Sequence, residues 1–146
     1  MKYALVFSCL LVVAYGLPPE IEQQIKEMFA QLAGECKAEI GATDDEVAQI
    51  KAHQLPTTKS GKCFLACMNK KLEFQDKSGK FDKASSIAQL EKLKPFDEDL
   101  YHKMKQVGDI CYAEELDGAD ECETAYNMMA CWQREADKAG IKPMDF

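Results

Sequence analysis

Histidine is almost missing from this chain: His53 and His102 are the only two in 146 residues. Neither sits in a cysteine or carboxylate pattern that would build a catalytic triad. No G-x-S-x-G, H-E-x-x-H or G-x-x-x-x-G-K occurs, which removes the common hydrolase, zinc-protease and nucleotide-binding signatures. A small secreted phospholipase would need a His-Asp pair beside paired cysteines on a helix, and no His here has that context. The chain reads as something other than an enzyme. Basic charge is also short, with 18 Lys+Arg against 25 Asp+Glu and a formal net charge of −7. That balance disfavours nucleic acid and anionic lipid, both of which are bound through clustered positive charge. It disfavours a membrane-active defence protein for the same reason. Val and Ile are sparse and never alternate over a strand length, which argues against a sheet. There is no Asn-x-Ser/Thr, no internal repeat, no low-complexity segment and no interdomain linker.

One long apolar run exists, and it is at the start. Met1-Lys2 supplies a positive lead, Ala4 to Ala14 is apolar, and Ala14-Tyr15-Gly16 offers small residues for cleavage. This predicts a secretory signal over 1–16, too short to span a bilayer. Cleavage would leave one domain over 17–146, extracellular and without stable membrane association. It would remove Lys2, taking Lys+Arg from 18 to 17 against 25 acids, and also Cys9.

What is abundant is helix punctuation. Pro18-Pro19 can open a first helix, because Pro is tolerated in a first turn. Ile21, Ile25, Met28, Leu32 and Cys36 then recur on one stripe, and Gly41 ends it. Thr43 and Glu46 form a capping-box signature for a short second helix through Val47 and Ile50, closed by Pro56. A third helix starts near Ser60 and carries Cys63, Phe64, Cys67, Met68 and Leu72. Asp76-Lys-Ser-Gly79 is a turn. A fourth runs from about Asp82, with Ile87, Leu90 and Leu93 inward, until Pro95. Asp97 caps a fifth, with Leu100, Met104, Val107 and Cys111 inward. Asp120 and Glu123 resemble a second capping box, opening a sixth helix that Gly140 stops. The fold class is therefore all-α, six short helices.

Metal sites are not expected. Counting Asp76 as the first position of a calcium loop puts Phe81 at position six and Ile87 at position twelve, where Gly and Glu are needed. C-x3-C is not a zinc-ribbon spacing. No cofactor is implied.

Six cysteines remain beyond the leader, spaced C-x26-C-x3-C-x43-C-x10-C-x8-C. An even count in a short secreted chain implies a disulfide framework. Cys63 and Cys67 share a helical face, so each is expected to staple its helix to a different neighbour. Cys122 and Cys131 lie nine residues apart, about 900° of rotation, and leave their helix on opposite faces. One can reach the third helix and the other the fifth. Fifteen pairings are possible, and this geometry thins them without choosing one.

The spacing, the leader and the six-helix rhythm resemble the insect odorant-binding proteins, carriers of pheromones and general odorants. The resemblance covers essentially the whole mature chain, although the 43-residue middle interval is long for the family. It implies Cys36–Cys67, Cys63–Cys122 and Cys111–Cys131, interlocked around a hydrophobic cavity. It implies reversible carriage of small hydrophobic ligands, odorants or pheromones, through sensillum lymph. A membrane olfactory receptor would be a further partner, and the carrier a monomer or weak homodimer. A carrier in haemolymph or a gland secretion is an alternative, as is a secreted interaction or defence module with a filled core.

The inward stripes nominate a ligand-binding lining: Met28 and Leu32 from the first helix, and Leu65, Met68, Leu72 and Phe74 from the third and its exit. Phe81, Ile87, Leu90 and Leu93 follow, then Met104, Val107 and Ile110, then Ala125, Met128, Met129 and Trp132. The methionines suit a pocket that accepts several shapes. Asn69, Tyr101 and Tyr126 are candidates to hydrogen-bond a polar ligand end. Met144 and Phe146, in an apolar tail, are expected to form a lid, as tails of this kind can in the family.

Overall fold

Local capping chemistry sets where each helix begins in the computed structural model, which describes residues 17–143. Helix α1 spans Pro19–Ile40, with Pro at its first position and Gly41 closing it at φ 73. Helix α2 is Asp44–Lys51, opened by a complete Thr43–Glu46 capping box. Helix α3 is Lys59–Lys71, capped by Thr58. Helix α4 is Lys83–Glu91, capped by Asp82. Helix α5 is Glu98–Ala113, capped by Asp97. Helix α6 is Glu121–Lys138, capped by Asp120. Each side-chain cap satisfies a backbone N–H that the helix cannot, worth about 0.5–2 kcal/mol.

One cap partner and two boundaries differ from the sequence reading. Glu123 does not complete a capping box; its carboxylate accepts from Lys62 Nζ at 3.0 and 3.1 Å, tying α6 to α3. Helix α2 stops before Pro56, at a reversal where His53 takes φ 59. Helix α4 stops before Pro95, and single turns bonded Lys94 N–H to Glu91 and Phe96 N–H to Leu93 carry the chain onward.

Helix α3 lies at the centre. It packs on α6, α1 and α2, while α6 packs on α5 and α5 on α4. The disulfides are Cys36–Cys67, Cys63–Cys122 and Cys111–Cys131. They staple α1 to α3, α3 to α6 and α5 to α6, the three most extensive helix interfaces. The pairing is the one the family resemblance implies. Each bridge sits in apolar packing: Cys36 with Ala33, Phe64 and Met68; Cys122 with Leu65, Ala66 and Ala125; Cys111 and Cys131 with Val107 and Met128.

Helices α2 and α4 carry no cysteine and are held by polar latches. Glu46 accepts from Ser60 Oγ, Thr58 Oγ1 and the Thr43 N–H, which lowers its pKa to about 2. On α4, Ser86 accepts from the Tyr112 hydroxyl and Lys83 pairs with Asp109 at 3.0 Å. The turn between α3 and α4 is pinned to α6. Gly79 has φ 83, and a Cβ there would stand 2.3 Å from that of Glu121. Gln75 Nε2 donates to the carbonyls of Gly79 (2.7 Å) and Glu121 (3.2 Å). Gln75 and Phe81 form an isolated antiparallel bridge, a small departure from helix that the sequence reading did not anticipate. Asp76 spends its carboxylate on Ser78 and on the Lys80 N–H within this turn.

Candidate functional site

Two apolar lobes flank α3. The first, of about 260 Å³, lies among α3, α4, α5 and α6 and is here termed the α4 lobe. Ile87 and Leu90 of α4 face Met104 of α5 and Met128 and Trp132 of α6, with Phe81 at the turn. Gly108 on α5 lies beside the indole, and a Cβ there would meet Trp132 Cζ2 at an ordinary contact distance of 3.5 Å. The second, of about 280 Å³, lies between α1, α2 and α3 and is termed the α2 lobe. Phe29 and Ala33 of α1 face Val47 and Ile50 of α2 and Phe64 and Met68 of α3, with Leu72 at its C-cap.

Leu65, Asn69, Phe74 and Met129 line both lobes and form the partition between them. Leu65 and Asn69 share a face of α3, and Met129 comes from α6. Phe74 is placed by a chain reversal after α3. Glu73 takes φ 62, and the Phe74 N–H returns to the Asn69 carbonyl at 2.8 Å.

The polar groups of the two lobes differ. In the α4 lobe, the Tyr112 and Ser86 hydroxyls bond each other, and burial raises the Tyr112 pKa. Lys105 and Asp109 pair at 2.9 Å; with Lys83 also bonded, the Asp109 pKa is held down by its two lysines. The α2 lobe is lined by Lys26, Lys51 and the His53 imidazole, with no carboxylate. Lys26 is paired with Glu22 at 2.8 Å. Among the described residues, no group of side chains that could hold a metal ion gathers.

Of the residues nominated from sequence, Phe81, Ile87, Leu90, Met104, Met128 and Trp132 line the α4 lobe, and Met68 and Leu72 the α2 lobe. Leu65, Phe74, Met129 and Asn69 stand at the partition. Others are elsewhere. Met28 is 44 % exposed and Ile110 40 %. Leu32 packs on the α1–α3 core, and Leu93 is half-buried in the turn after α4. Val107 and Ala125 are buried beside disulfides, inside packed core instead of at a cavity wall. Tyr101 is buried against His102 and Lys94, and Tyr126 carries Lys62 over its ring at 4.5 Å. Met144 and Phe146 lie outside the described residues, as does the leader. Ile141, just before that tail, packs on the α5–α6 core.

The α2 lobe was not anticipated. Its α1 wall is Lys26, Phe29, Ala30 and Ala33, a face beside the stripe of Ile25, Met28 and Leu32 that the periodicity nominates. The capping box announced α2, and Val47 and Ile50 on so short a helix were the available sign that it had something to cover.

Residues 19–135 match the PBP/GOBP family. The chain belongs to this family, the insect odorant-binding proteins. General odorant-binding protein 19d of Drosophila melanogaster is 34% identical over 121 residues, covering 83% of this chain and 80% of that protein. General odorant-binding protein 28a of the same fly is also 34% identical, over 122 residues, 80% of this chain and 82% of that one. A solved structure of Drosophila odorant-binding protein 28a superimposes with a TM-score of 0.72 at 28% identity, covering 83% of this chain and 99% of that one. A second, described as a fatty acid binding protein from the oral disk of the blowfly Phormia regina, gives a TM-score of 0.60 at 26% identity over 84% and 97%. An odorant-binding protein fold thus carries both lobes here. No described helix is long and apolar enough to cross a membrane.

Proposed function

We propose that this odorant-binding protein is a secreted, non-catalytic carrier that takes up small hydrophobic ligands reversibly in its two-lobed cavity. The observation that carries the reading is the pair of apolar lobes held open inside a disulfide-stapled frame. Close packing would otherwise fill such space, and a filled core is what an interaction or defence module would have. Burying about 300 Å² of ligand apolar surface gains roughly 7 kcal/mol before association costs. Micromolar affinity is therefore expected, with the best ligands tighter. The role fits odorant or pheromone transport through sensillum lymph; the blowfly relative's origin in the oral disk is a reason to keep a non-olfactory secretion as the second reading.

The test is displacement of an apolar fluorescent probe from the oxidised mature protein by alcohols, esters, aldehydes and terpenoids. Saturable uptake with selective displacement supports carriage. Trp132, the only tryptophan, lines the α4 lobe, and its emission should shift with occupancy. No uptake by correctly bridged protein would overturn the carrier reading.

A further inference from the structure

Asn69 is out of keeping with its surroundings. It is half-buried on α3, and it lines both lobes at the partition, between Leu65, Phe74 and Met129. Its backbone carbonyl accepts from Phe74 and Gln75. Its side-chain carboxamide makes no hydrogen bond with any described residue. The other polar side chains of the α4 lobe are engaged with each other, as above. A carboxamide offers two donors and an acceptor with two lone pairs, and a ligand that displaces water from it must match them. Asn is also a poorer helix former than Leu, which stands one turn earlier on the same face. The Asn69 amide atoms stay accessible within the lobes, so its donors and acceptor are open to a ligand that reaches the partition.

Lobe size points the same way. At about 260 and 280 Å³, each lobe alone falls just below the roughly 300–1,000 Å³ typical of ligand sites, whereas together they fall within it. A ligand long enough to fill both lobes must pass the partition, where Met129 is flexible enough to yield. The part of the ligand at the partition then lies beside the Asn69 carboxamide.

We propose that Asn69 is a specificity-determining residue that selects elongated ligands with a carbonyl or hydroxyl in mid-chain and an apolar arm on each side. Nδ2 donates to a ligand carbonyl; Oδ1 accepts from a ligand hydroxyl. A terminal polar group is placed in an apolar lobe end or at the rim and leaves Asn69 unmatched. This inference rests on the carrier reading above.

The test compares three long straight-chain probes of equal length: a ketone with its carbonyl at the centre, the isomer with its carbonyl next to one end, and the alkane. A fatty acid of the same length is the fourth. Affinities are measured on the oxidised protein and on Asn69→Leu, which keeps side-chain size, leaves no protein partner unpaired and should fold at least as stably. The central ketone should bind about three- to tenfold tighter than its isomer, one molecule per chain, and the gap should close in Asn69→Leu. Asn69→Asp, which removes the amide donor, should lose the central ketone yet keep a central alcohol. Equal binding of the isomers, a gap that survives Asn69→Leu, or two ligands per chain would each overturn the proposal. So would a preference for the fatty acid abolished by Lys51→Gln, because the rim would then read the ligand's end. Failure of every probe to bind would instead remove the carrier reading beneath it.

Discussion

Of the six described helices four carry cysteines and two do not, and the division follows length. The stapled helices α1, α3, α5 and α6 have 22, 13, 16 and 18 residues; α2 and α4 have 8 and 9. Each short helix walls one lobe and is fixed by non-covalent polar latches in place of a covalent bond. Covalent staples therefore lie at the most extensive helix interfaces, and non-covalent contacts alone hold the two lobe walls α2 and α4. Local opening comes from the least stable parts of a fold. Backbone amides of α2 and α4 should accordingly exchange before those of α3 and α6. If α3 amides exchange as early as those of α2, the division has no dynamic meaning.

The strongest way to break the contrast is to cut the frame. In the chain-entropy account a bridge contributes more as its loop lengthens. The sequence separations are 59 for Cys63–Cys122, 31 for Cys36–Cys67 and 20 for Cys111–Cys131. Replacing each pair by alanines should cost about 4, slightly less than 4, and about 3 kcal/mol respectively, read from urea unfolding of protein with the other two bridges intact. A reversed order would place the stabilisation in local packing, not loop closure.

A smaller effect tests the walls. Leu90 on α4 is 6 % exposed and borders the α4 lobe. Leu90→Ala should cost about 2 kcal/mol, the low end for a buried leucine, because one side already faces open space. Exchange in α4 should rise first, and bound probe should leave faster, while α1–α3 protection holds. Global unfolding without prior loss at α4 would show that wall and frame are one cooperative unit.

The outcome also shows what the sequence could disclose. Helix starts were legible because caps are local: Thr43, Asp97 and Asp120 each bond amides two or three residues ahead. Glu123 failed as a cap partner because Lys62, distant in sequence, competed for it. The pairing of cysteines came from the family resemblance; helical faces alone left several options. The cavity was half legible. Periodicity says that a residue points inward, not whether it meets another side chain or empty space. Val107 and Leu90 look alike on a stripe, yet Val107 is packed beside Cys111 and Cys131 while Leu90 faces the lobe. Met28 and Phe29 fit the α1 rhythm equally, and only packing against α3 decides between them.

The gentlest perturbation is acid, acting on the α2 latch. Glu46 is held at about 2, chiefly by the Ser60 hydroxyl and then by Thr58 and the Thr43 N–H, against an ordinary value of 4.5. Because the folded value is the lower one, the latch's contribution is fully present above the unfolded pKa and is lost as pH falls through 4.5 toward about 2. Moving from pH 7 to 5 should leave α2 exchange, after correction for intrinsic rates, unchanged on this account. Below pH 4 the correction-free difference between α2 and α3 should widen. Glu46→Gln should raise α2 exchange at pH 7 and flatten its acid response. If wild-type α2 instead loosens between pH 7 and 5, a group other than Glu46 governs the wall.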